Sequence, residues 1–326
     1  MIEVSHLTRE YSGRPAVSDL SFTVEDGQVY GLLGPNGAGK STIMNIITGY
    51  LAATSGTVTV EGHPLPEEAD AAKACIGYLP ETPPLYTEMT VKEYLTFAAE
   101  LKGVKRGERA AQVEKAARRT GLTDVMPRLI RNLSKGYRQR VGIAQALLGH
   151  PKIIILDEPT VGLDPAQVIE IRRLVRELGQ SHTVILSSHI LSEVQAVCTK
   201  VLILSHGHLV AEGTPQELSA QLSPHGVLHA TALGSRDAVV AAVQKVKGIQ
   251  SVQVEGEANG EVTFTASSAS GEDLRAAVSQ ALSAAGCAVL NLTAETRSLE
   301  DIFLELTEKP EEPAAAPDQD PAGKEE

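Results

Sequence analysis

The stretch that decides the fold of this chain is Gly34-Pro35-Asn36-Gly37-Ala38-Gly39-Lys40-Ser41-Thr42. Its letters fit G-x-x-x-x-G-K-[ST], the phosphate-binding P-loop motif. The apolar run Gln28–Leu33 before it predicts a short buried strand, and Thr42–Ile47 after it predicts a helix. A strand, a glycine-rich turn and a helix start therefore follow one another in the order that the motif requires, which a chance glycine-rich turn would not have.

The chemistry of this stretch points to a nucleoside triphosphate. Backbone N–H groups at a helix start converge on an anion, and the helix dipole favours negative charge there. Lys40 is placed to reach the β- and γ-phosphates and the Ser41 hydroxyl to bind Mg²⁺. The glycines let the backbone wrap the phosphates without Cβ clashes. The sequence thus predicts ATP-type binding by residues 34–42, with Mg²⁺.

A second motif places two carboxylates at the end of a strand. Ile153–Leu156 is apolar at every position, as in a parallel sheet covered on both faces, and Asp157 and Glu158 follow it. Parallel sheets bind ligands at the carboxyl ends of their strands. We therefore predict that Asp157 holds Mg²⁺ and that Glu158 is the general base for the attacking water. The alternative is that both acids only cap the next turn.

A third motif, Leu133-Ser134-Lys135-Gly136-Tyr137-Arg138-Gln139-Arg140, places serine and glycine before a predicted helix. This pattern predicts a second helix start that can bind an anion. On its own, the stretch is better explained by an ordinary helix N-cap at Ser134, with Arg138 and Arg140 in solvent.

Strands alternate with helices up to about Leu222, which favours an α/β domain with a parallel sheet over residues 1–222. Helical periodicity from about residue 82 to 150 predicts a helical subdomain inside it. After a linker at 223–226 the pattern reads β-α-β-β-α-β, which predicts a ferredoxin-like domain over 227–307. Residues 308–326 are acidic and rich in Pro and Ala, and we expect them to be disordered.

Composition narrows the possible partners. The 326 residues carry a net charge of −12 with no basic arm, which argues against nucleic-acid binding and against direct attachment to anionic lipid. No apolar run is long enough to cross a bilayer, and no signal peptide precedes the first strand. The 3 cysteines have no metal-site spacing and suit a reducing compartment. We expect a cytoplasmic protein that is not itself inserted in a membrane.

Taken in order, these motifs resemble those of the ABC transporter ATPase subunits. Walker A is at 34–42, an LSGGQ-like signature at 133–137 and Walker B at 153–158, while Gly162-Leu163-Asp164 matches the D-loop and His189 the H-switch. The resemblance covers about residues 1–215. It implies a P-loop NTPase fold with a parallel core, an antiparallel β subdomain and a helical subdomain. It also implies ATP hydrolysis by a dimer that drives a membrane permease.

The resemblance also assigns residues. Tyr11 would stack on adenine, Ser134 and Gly136 would contact the γ-phosphate bound by the other subunit, and Asp164 would line the dimer seam. His189 would contact the γ-phosphate in its own subunit. A plain helix-cap histidine at 189 and an ordinary strand aromatic at Tyr11 are the alternatives. The partner subunit would be a second copy or a related ATPase.

Two departures from the family pattern are informative. The Q-loop position is Glu81, which can bind Mg²⁺ but only accepts hydrogen bonds when ionised, whereas glutamine also donates them. The signature has Lys135 and Tyr137 where glycine and glutamine are usual.

In both departures the chain resembles the detached ATPases of ABC-2 type exporters, in the gliding-motility, sodium-efflux and multidrug group. The chain would then sit on the inner face of the membrane through an integral ABC-2 permease, with Glu81 to about Leu101 as the coupling surface.

The sequence leaves two other functions open. One is a soluble ABC-type mechanical ATPase that works without a permease, but those proteins usually carry coiled-coil insertions or tandem ATPase units, and this chain has no heptad run. The other concerns residues 225–307, which could sense a small molecule or could serve dimerisation and stability. His225 and His229 in that region suit solvated side chains better than metal ligands, so the structural role is favoured.

Overall fold

The computed structural model describes residues 1–222, 227–268 and 273–294. Within 1–222 the strands are β1 (Ile2–Tyr11), β2 (Arg14–Val24), β3 (Val29–Leu33), β4 (Ser55–Val60), β5 (His63–Leu65), β6 (Ile76–Leu79), β7 (Ile153–Leu156), β8 (Thr183–Ser188), β9 (Lys200–Ser205) and β10 (His208–Gly213). The helices are α1 (Lys40–Ile47), α2 (Ala69–Ala74), α3 (Val91–Leu101), α4 (Arg106–Arg119), α5 (Lys135–Ala146), α6 (Pro165–Gly179), α7 (Leu191–Val197) and α8 (Pro215–Leu222).

A six-stranded sheet in the order β10-β9-β3-β8-β7-β6 forms the core of this region. Its neighbouring strands run parallel from β9 to β6, and β10 is antiparallel to β9. The carboxyl ends of β3, β7 and β8 therefore lie along one edge of the sheet. The P-loop, the two carboxylates and His189 all follow directly after these ends.

Strand β7 shows why the central strands are apolar throughout. Ile153 and Ile155 pack into the hydrophobic cluster on one face of the sheet, and Ile154 and Leu156 pack into the cluster on the other. All four side chains are fully buried. Since successive side chains of a strand point to opposite faces, a sheet covered on both sides needs apolar residues at every position.

The remaining strands of this region form an antiparallel sheet in the order β2-β1-β4-β5. Its apolar side chains share a core with one face of the parallel sheet and with α1. Helices α3, α4 and α5 enclose a third core of their own, from Val91 to Leu148. Helix α3 begins with a capping box, in which Thr90 Oγ1 accepts from Glu93 N at 3.2 Å and Glu93 Oε2 accepts from Thr90 N at 2.8 Å. The expected helical and antiparallel parts are thus both present.

The second region contains β11 (Val227–Leu233), α9 (Arg236–Gln244), β12 (Ile249–Ala258), β13 (Glu261–Ser268), α10 (Arg275–Ala284) and β14 (Ala288–Ala294). Its sheet has the order β12-β13-β11-β14 with antiparallel pairs, the ferredoxin-like arrangement that the β-α-β-β-α-β pattern predicted. It has a separate hydrophobic core around Phe264. The predicted fold class is confirmed. The linker 223–226, the end of the 227–307 domain and the tail 308–326 lie outside the described residues.

Candidate functional site

The P-loop connects β3 to α1, and its two central glycines are in the left-handed backbone region. Gly37 has φ 84° and Gly39, the N-cap of α1, has φ 101°. A Cβ added to Gly39 would lie 2.7 Å from the carbonyl oxygen of Ala16. Both the backbone angle and the close approach of β2 therefore require glycine here.

Lys40 is the first residue of α1 and only 6% exposed. Its Nζ donates to the Gly34 carbonyl at 2.7 Å and to the Pro35 carbonyl at 3.2 Å. The same ammonium lies 3.5 Å from Glu158 Oε1. Two P-loop carbonyl groups thus hold the Lys40 ammonium, and its positive charge lies at the start of α1.

The two acidic residues after β7 are both buried, and one serine binds the side chain of the first and the backbone of the second. Ser187 Oγ donates to Asp157 Oδ1 at 2.6 Å and accepts from the Glu158 N–H at 2.8 Å. Glu158 has φ 47°, in the left-handed region that is unfavourable for any residue with a side chain. Its conformation turns the chain sharply at the end of the strand, where backbone strain is common at functional sites.

His189 is the second polar side chain that contacts the Glu158 carboxylate. Its Nδ1 lies 3.0 Å from Glu158 Oε2, while the other oxygen of that carboxylate faces Lys40. Because an ionised carboxylate only accepts hydrogen bonds, Nδ1 carries the proton in this contact. Glu158 therefore lies between the P-loop lysine and the histidine that follows β8.

A cavity of about 480 Å³ opens above these groups. Its lining residues are Ala16, Asn36, Gly37, Gly39, Lys40, Ser41, Thr42, Glu81, Glu158, Val161 and His189. The structure therefore brings together most of the P-loop, the Q-loop acid, the proposed base and the histidine. A cavity of this size suits a nucleotide-sized ligand.

The groups available for Mg²⁺ are oxygen atoms. The Ser41 hydroxyl and the Glu81 carboxylate line the cavity, and the Asp157 carboxylate is buried behind it. Among the described residues, no group of three or more His, Cys, Asp or Glu side chains could hold a metal ion. This set nevertheless fits Mg²⁺, because that ion is usually held by one or two carboxylates together with substrate phosphates and waters.

The signature stretch lies elsewhere, since Ser134 and Gly136 are not among the residues that line the cavity in the described chain. Ser134 is the exposed N-cap of α5 and accepts from Tyr137 N at 3.4 Å. Gly136 is buried against α6, where a Cβ would lie 2.4 Å from Gln167 Oε1. The ordinary N-cap geometry is therefore present, and neither residue faces the P-loop cavity of its own chain.

Tyr11 and Asp164 also lie away from the cavity lining. Tyr11 ends β1 with 46% exposure, and the Arg9 guanidinium stacks 4.8 Å from its ring centroid. Asp164 is the N-cap of α6, with Oδ1 accepting from Gln167 N at 2.9 Å. Each has a local structural role, and each is open to a ligand or a second subunit.

The sequence did not single out the buried hydroxyl groups that organise this site. Ser187 and Ser188 end β8 with no measurable exposure, and Thr160 follows the two carboxylates closely. Their signal was present, because polar residues inside an otherwise apolar strand need hydrogen-bond partners. The sequence also did not predict that Lys135 reaches the D-loop, where a Cβ at Gly162 would lie 2.2 Å from Lys135 Nζ.

Comparisons with known proteins agree with this geometry. A family model described as ABC transporter matches residues 17–161. The linearmycin resistance ATP-binding protein LnrL of Bacillus subtilis (strain 168) is 32% identical over 308 residues, which cover 94% of this chain and 98% of that protein. The Nod factor export ATP-binding protein I of Rhizobium meliloti (strain 1021) is 36% identical over 69% of this chain and 73% of its own length. A bacterial ABC transporter cassette solved as a dimer superimposes with a TM-score of 0.61 at 25% identity, covering 66% of this chain and 98% of that one.

Proposed function

Because this chain belongs to the ABC transporter family as an ATP-binding subunit that hydrolyses ATP, we propose that it binds two ATP molecules as a dimer and drives a separate ABC-2 type permease in export. The observation that carries the hydrolysis step of this proposal is the position of Glu158 between Lys40 and His189 in the P-loop cavity. The proposed ligands are ATP and Mg²⁺.

We infer the following roles in hydrolysis. Glu158 accepts a proton from water as the water oxygen forms a bond to the γ-phosphorus and the bond from that phosphorus to the β–γ bridging oxygen breaks. Lys40 and the N–H groups of residues 34–42 offset the negative charge on the phosphates. His189, hydrogen-bonded to Glu158 at 3.0 Å, orients the carboxylate and contacts the γ-phosphate. Mg²⁺, held by Ser41, Asp157 and Glu81, would neutralise further phosphate charge.

The position of the signature supports the dimer. Ser134 is exposed and is not among the residues that line the P-loop cavity of its own chain, which leaves its hydroxyl open to a second subunit. In the proposed head-to-tail dimer, Ser134 and Gly136 contact the γ-phosphate bound by the partner's P-loop, and Asp164 lies at the seam. Tyr11 stacks on adenine in its own subunit. The partner is a second copy or a related ATPase.

Exposed apolar side chains support a permease contact near the helical subdomain. Tyr50 after α1, Leu101 at the end of α3 and Tyr86 after the Q-loop are 84%, 70% and 55% exposed. Tyr50 also lines a cavity of about 500 Å³ together with Tyr78 of β6 and Lys102. No helix among the described residues is long and apolar enough to cross a bilayer. We propose that this face, with residues 81–101, binds a cytoplasmic helix of the permease and holds the protein at the inner membrane surface.

The export direction rests on relatives whose names describe resistance and export, such as LnrL and the Nod factor protein. Residues 227–307 form, in this proposal, a dimerisation and stability module. Among the described residues of that region no cluster suited to a metal is present.

The test of the catalytic proposal is the substitution Glu158→Gln. We expect it to abolish turnover, to leave ATP binding intact and to trap the ATP-bound dimer, measured by phosphate release and by size-exclusion chromatography with light scattering. Glu177→Gln, an exposed acid on α6, is the matched control and should hydrolyse ATP normally. Turnover by the Glu158→Gln protein would rule out Glu158 as the base.

The test of the permease proposal is co-purification with membrane proteins encoded beside this chain. Tyr50→Ser combined with Leu101→Ser should reduce their recovery while ATPase activity stays at the wild-type level. Recovery of soluble partners alone, or stimulation of the ATPase by nucleic acid, would favour a mechanical ATPase that acts without a permease.

A further inference from the structure

Glu193 on α7 is a buried carboxylate that does not line the P-loop cavity in the described chain, and it is 4% exposed. Its Oε2 accepts one hydrogen bond from Thr160 Oγ1 at 2.5 Å and another from Ser188 Oγ at 3.0 Å. Thr160 comes two residues after Glu158, and Ser188 directly precedes His189. One carboxylate oxygen therefore joins the two segments that carry the proposed base and its histidine.

The fold alone gives little reason for a carboxylate at this position. Glu193 has no ion pair with any Lys, Arg or His in the part of the chain that the structure describes. A buried carboxylate without a cation is costly, and an apolar side chain of similar volume often stabilises a core as well or better. An apolar side chain at this position could not accept the hydrogen bonds from Thr160 and Ser188.

The segment after β7 needs such a restraint. Glu158 has φ 47°, a backbone conformation that persists only where the surroundings hold it. Upstream, its N–H is bound by Ser187 Oγ at 2.8 Å. Downstream, the Thr160 hydroxyl is bound by Glu193. The strained residue is thus fixed from both sides.

The histidine segment is fixed in the same way. The Ser188 hydroxyl donates to Glu193 and accepts from the Ile190 N–H at 3.0 Å, so it bridges the chain across His189. Both segments are then anchored to α7, and the residues that they carry, Glu158 and His189, make the 3.0 Å contact between Oε2 and Nδ1.

We propose that Glu193 is a positioning residue for ATP hydrolysis: it holds Thr160 and Ser188 so that Glu158 and His189 keep their mutual geometry during attack on the γ-phosphate. Among the described residues, the hydrogen bonds of the Glu193 carboxylate go to Thr160 and Ser188 and not to either of these two side chains. The inference rests on the roles proposed above for Glu158 and His189.

The central experiment compares Glu193→Met with Glu193→Gln in the full chain. Methionine removes the acceptor, and we expect kcat to fall about 10- to 100-fold, because small misplacements of catalytic groups have effects of that size. The Kd for ATP should stay within about twofold, since the binding groups are untouched. Glutamine keeps an oxygen that can accept both hydroxyls, so its kcat should stay within about threefold of wild type. Gln195→Met, on the exposed side of the same helix, is the matched control and should leave kcat unchanged.

A second set of variants tests the hydroxyl contact directly. Thr160→Val should also lower kcat with little effect on ATP binding. The double variant Thr160→Val/Glu193→Met should be no slower than Glu193→Met alone, because contacts within one network are not additive. If Glu193→Met does not fold, Thr160→Val and Ser188→Ala test the same network, because each removes one hydroxyl that donates to Glu193, and kcat should fall in both. All assays are run well below the unfolding midpoint of each variant.

A wild-type kcat for Glu193→Met or for Thr160→Val, or additive losses in the double variant, would overturn the positioning role. So would a loss of kcat that tracks only the fraction of folded protein. Glu158→Gln is measured alongside. If it hydrolyses ATP, the proposed base is wrong. If it is inactive while Glu193→Met matches wild type, only the inference about Glu193 fails.

Discussion

Ser187 Oγ donates a hydrogen bond to Asp157 Oδ1 at 2.6 Å, and both side chains are buried. The same hydroxyl accepts from the Glu158 N–H. A single serine on β8 thus sets the direction of the proposed Mg²⁺ ligand and the backbone of the proposed base. The position of these two acids depends on a neighbouring strand as much as on their own.

Ser187→Ala should therefore lower both the stability of the protein and its rate of ATP hydrolysis. It leaves the Glu158 N–H without its partner and removes a donor from Asp157, and a buried unpaired polar group costs about 1–3 kcal/mol. We expect the free energy of unfolding in urea to fall by that amount and kcat to fall with it. Ser192→Ala, at an exposed position of α7, should change neither quantity. Unchanged urea unfolding of Ser187→Ala would contradict this account.

Gly39→Ala should abolish ATP binding. The substitution would force a Cβ to 2.7 Å from the Ala16 carbonyl oxygen and would also strain the backbone at φ 101°. We expect the free energy of unfolding to fall by more than about 1 kcal/mol. Binding of a fluorescent ATP analogue should also be lost. Gly107→Ala in α4 is the control, since no heavy atom lies within 4 Å of its added Cβ. Normal nucleotide binding by Gly39→Ala would show that the loop has room to adapt.

Glu81→Gln tests the departure at the Q-loop. Glutamine can donate a hydrogen bond to the attacking water, which an ionised carboxylate cannot do, so we expect kcat to rise by up to about tenfold. The loss of a negative charge should at the same time raise the Mg²⁺ concentration needed for half-maximal activity. Both are measured by phosphate release during a Mg²⁺ titration, with the exposed Glu67→Gln as control. A Mg²⁺ requirement that does not change would exclude Glu81 as a ligand.

Thiol labelling tests the packing of α7 against β3. Burial raises the pKa of Cys198 to about 12, so its thiolate fraction at pH 8 is on the order of one in ten thousand. We expect iodoacetamide to label the half-buried Cys75 first and Cys198 only as fast as the protein unfolds, as followed by mass spectrometry. Equal labelling rates for the two cysteines in native protein would contradict this packing.

Phe264→Ala tests whether residues 227–307 unfold as a unit of their own. Phe264 is fully buried in a hydrophobic core that shares no residue with the cores of 1–222, and its truncation should cost about 3–5 kcal/mol. We expect one of two calorimetric transitions to shift to lower temperature and ATP binding to persist. Leu290→Ala, at a 50% exposed position of β14, should shift neither transition. A single transition that moves as a whole would indicate one cooperative domain.

The sequence predicted the features that are encoded locally. The P-loop, the apolar strand before Asp157 and the β-α-β-β-α-β order are each written within a short stretch, and the structure has the elements where they were expected. Spacing and periodicity carry that information because neighbouring residues must share one strand or one helix face.

The contacts that the sequence did not predict join distant segments. Thr160 and Glu193 are 33 residues apart, and Lys135 of α5 lies against Gly162 in the loop before α6. No periodicity or motif in the sequence reveals either contact, because both depend on how α5, α6 and α7 pack together. A polar residue in an apolar context, such as Ser187, indicates that a partner exists but not which one.

The alternation of β7 between two hydrophobic cores has a further consequence. Inserting or deleting one residue there would exchange the faces of Ile153, Ile154, Ile155 and Leu156, and apolar side chains would still fill both cores. Core hydrophobicity by itself therefore tolerates such a shift, whereas Asp157 and Glu158 do not, because the shift would carry them away from Ser187 and Lys40. Length, more than composition, is what this strand must preserve, and libraries of β7 variants should accept exchanges among Ile, Val and Leu far more readily than a single insertion.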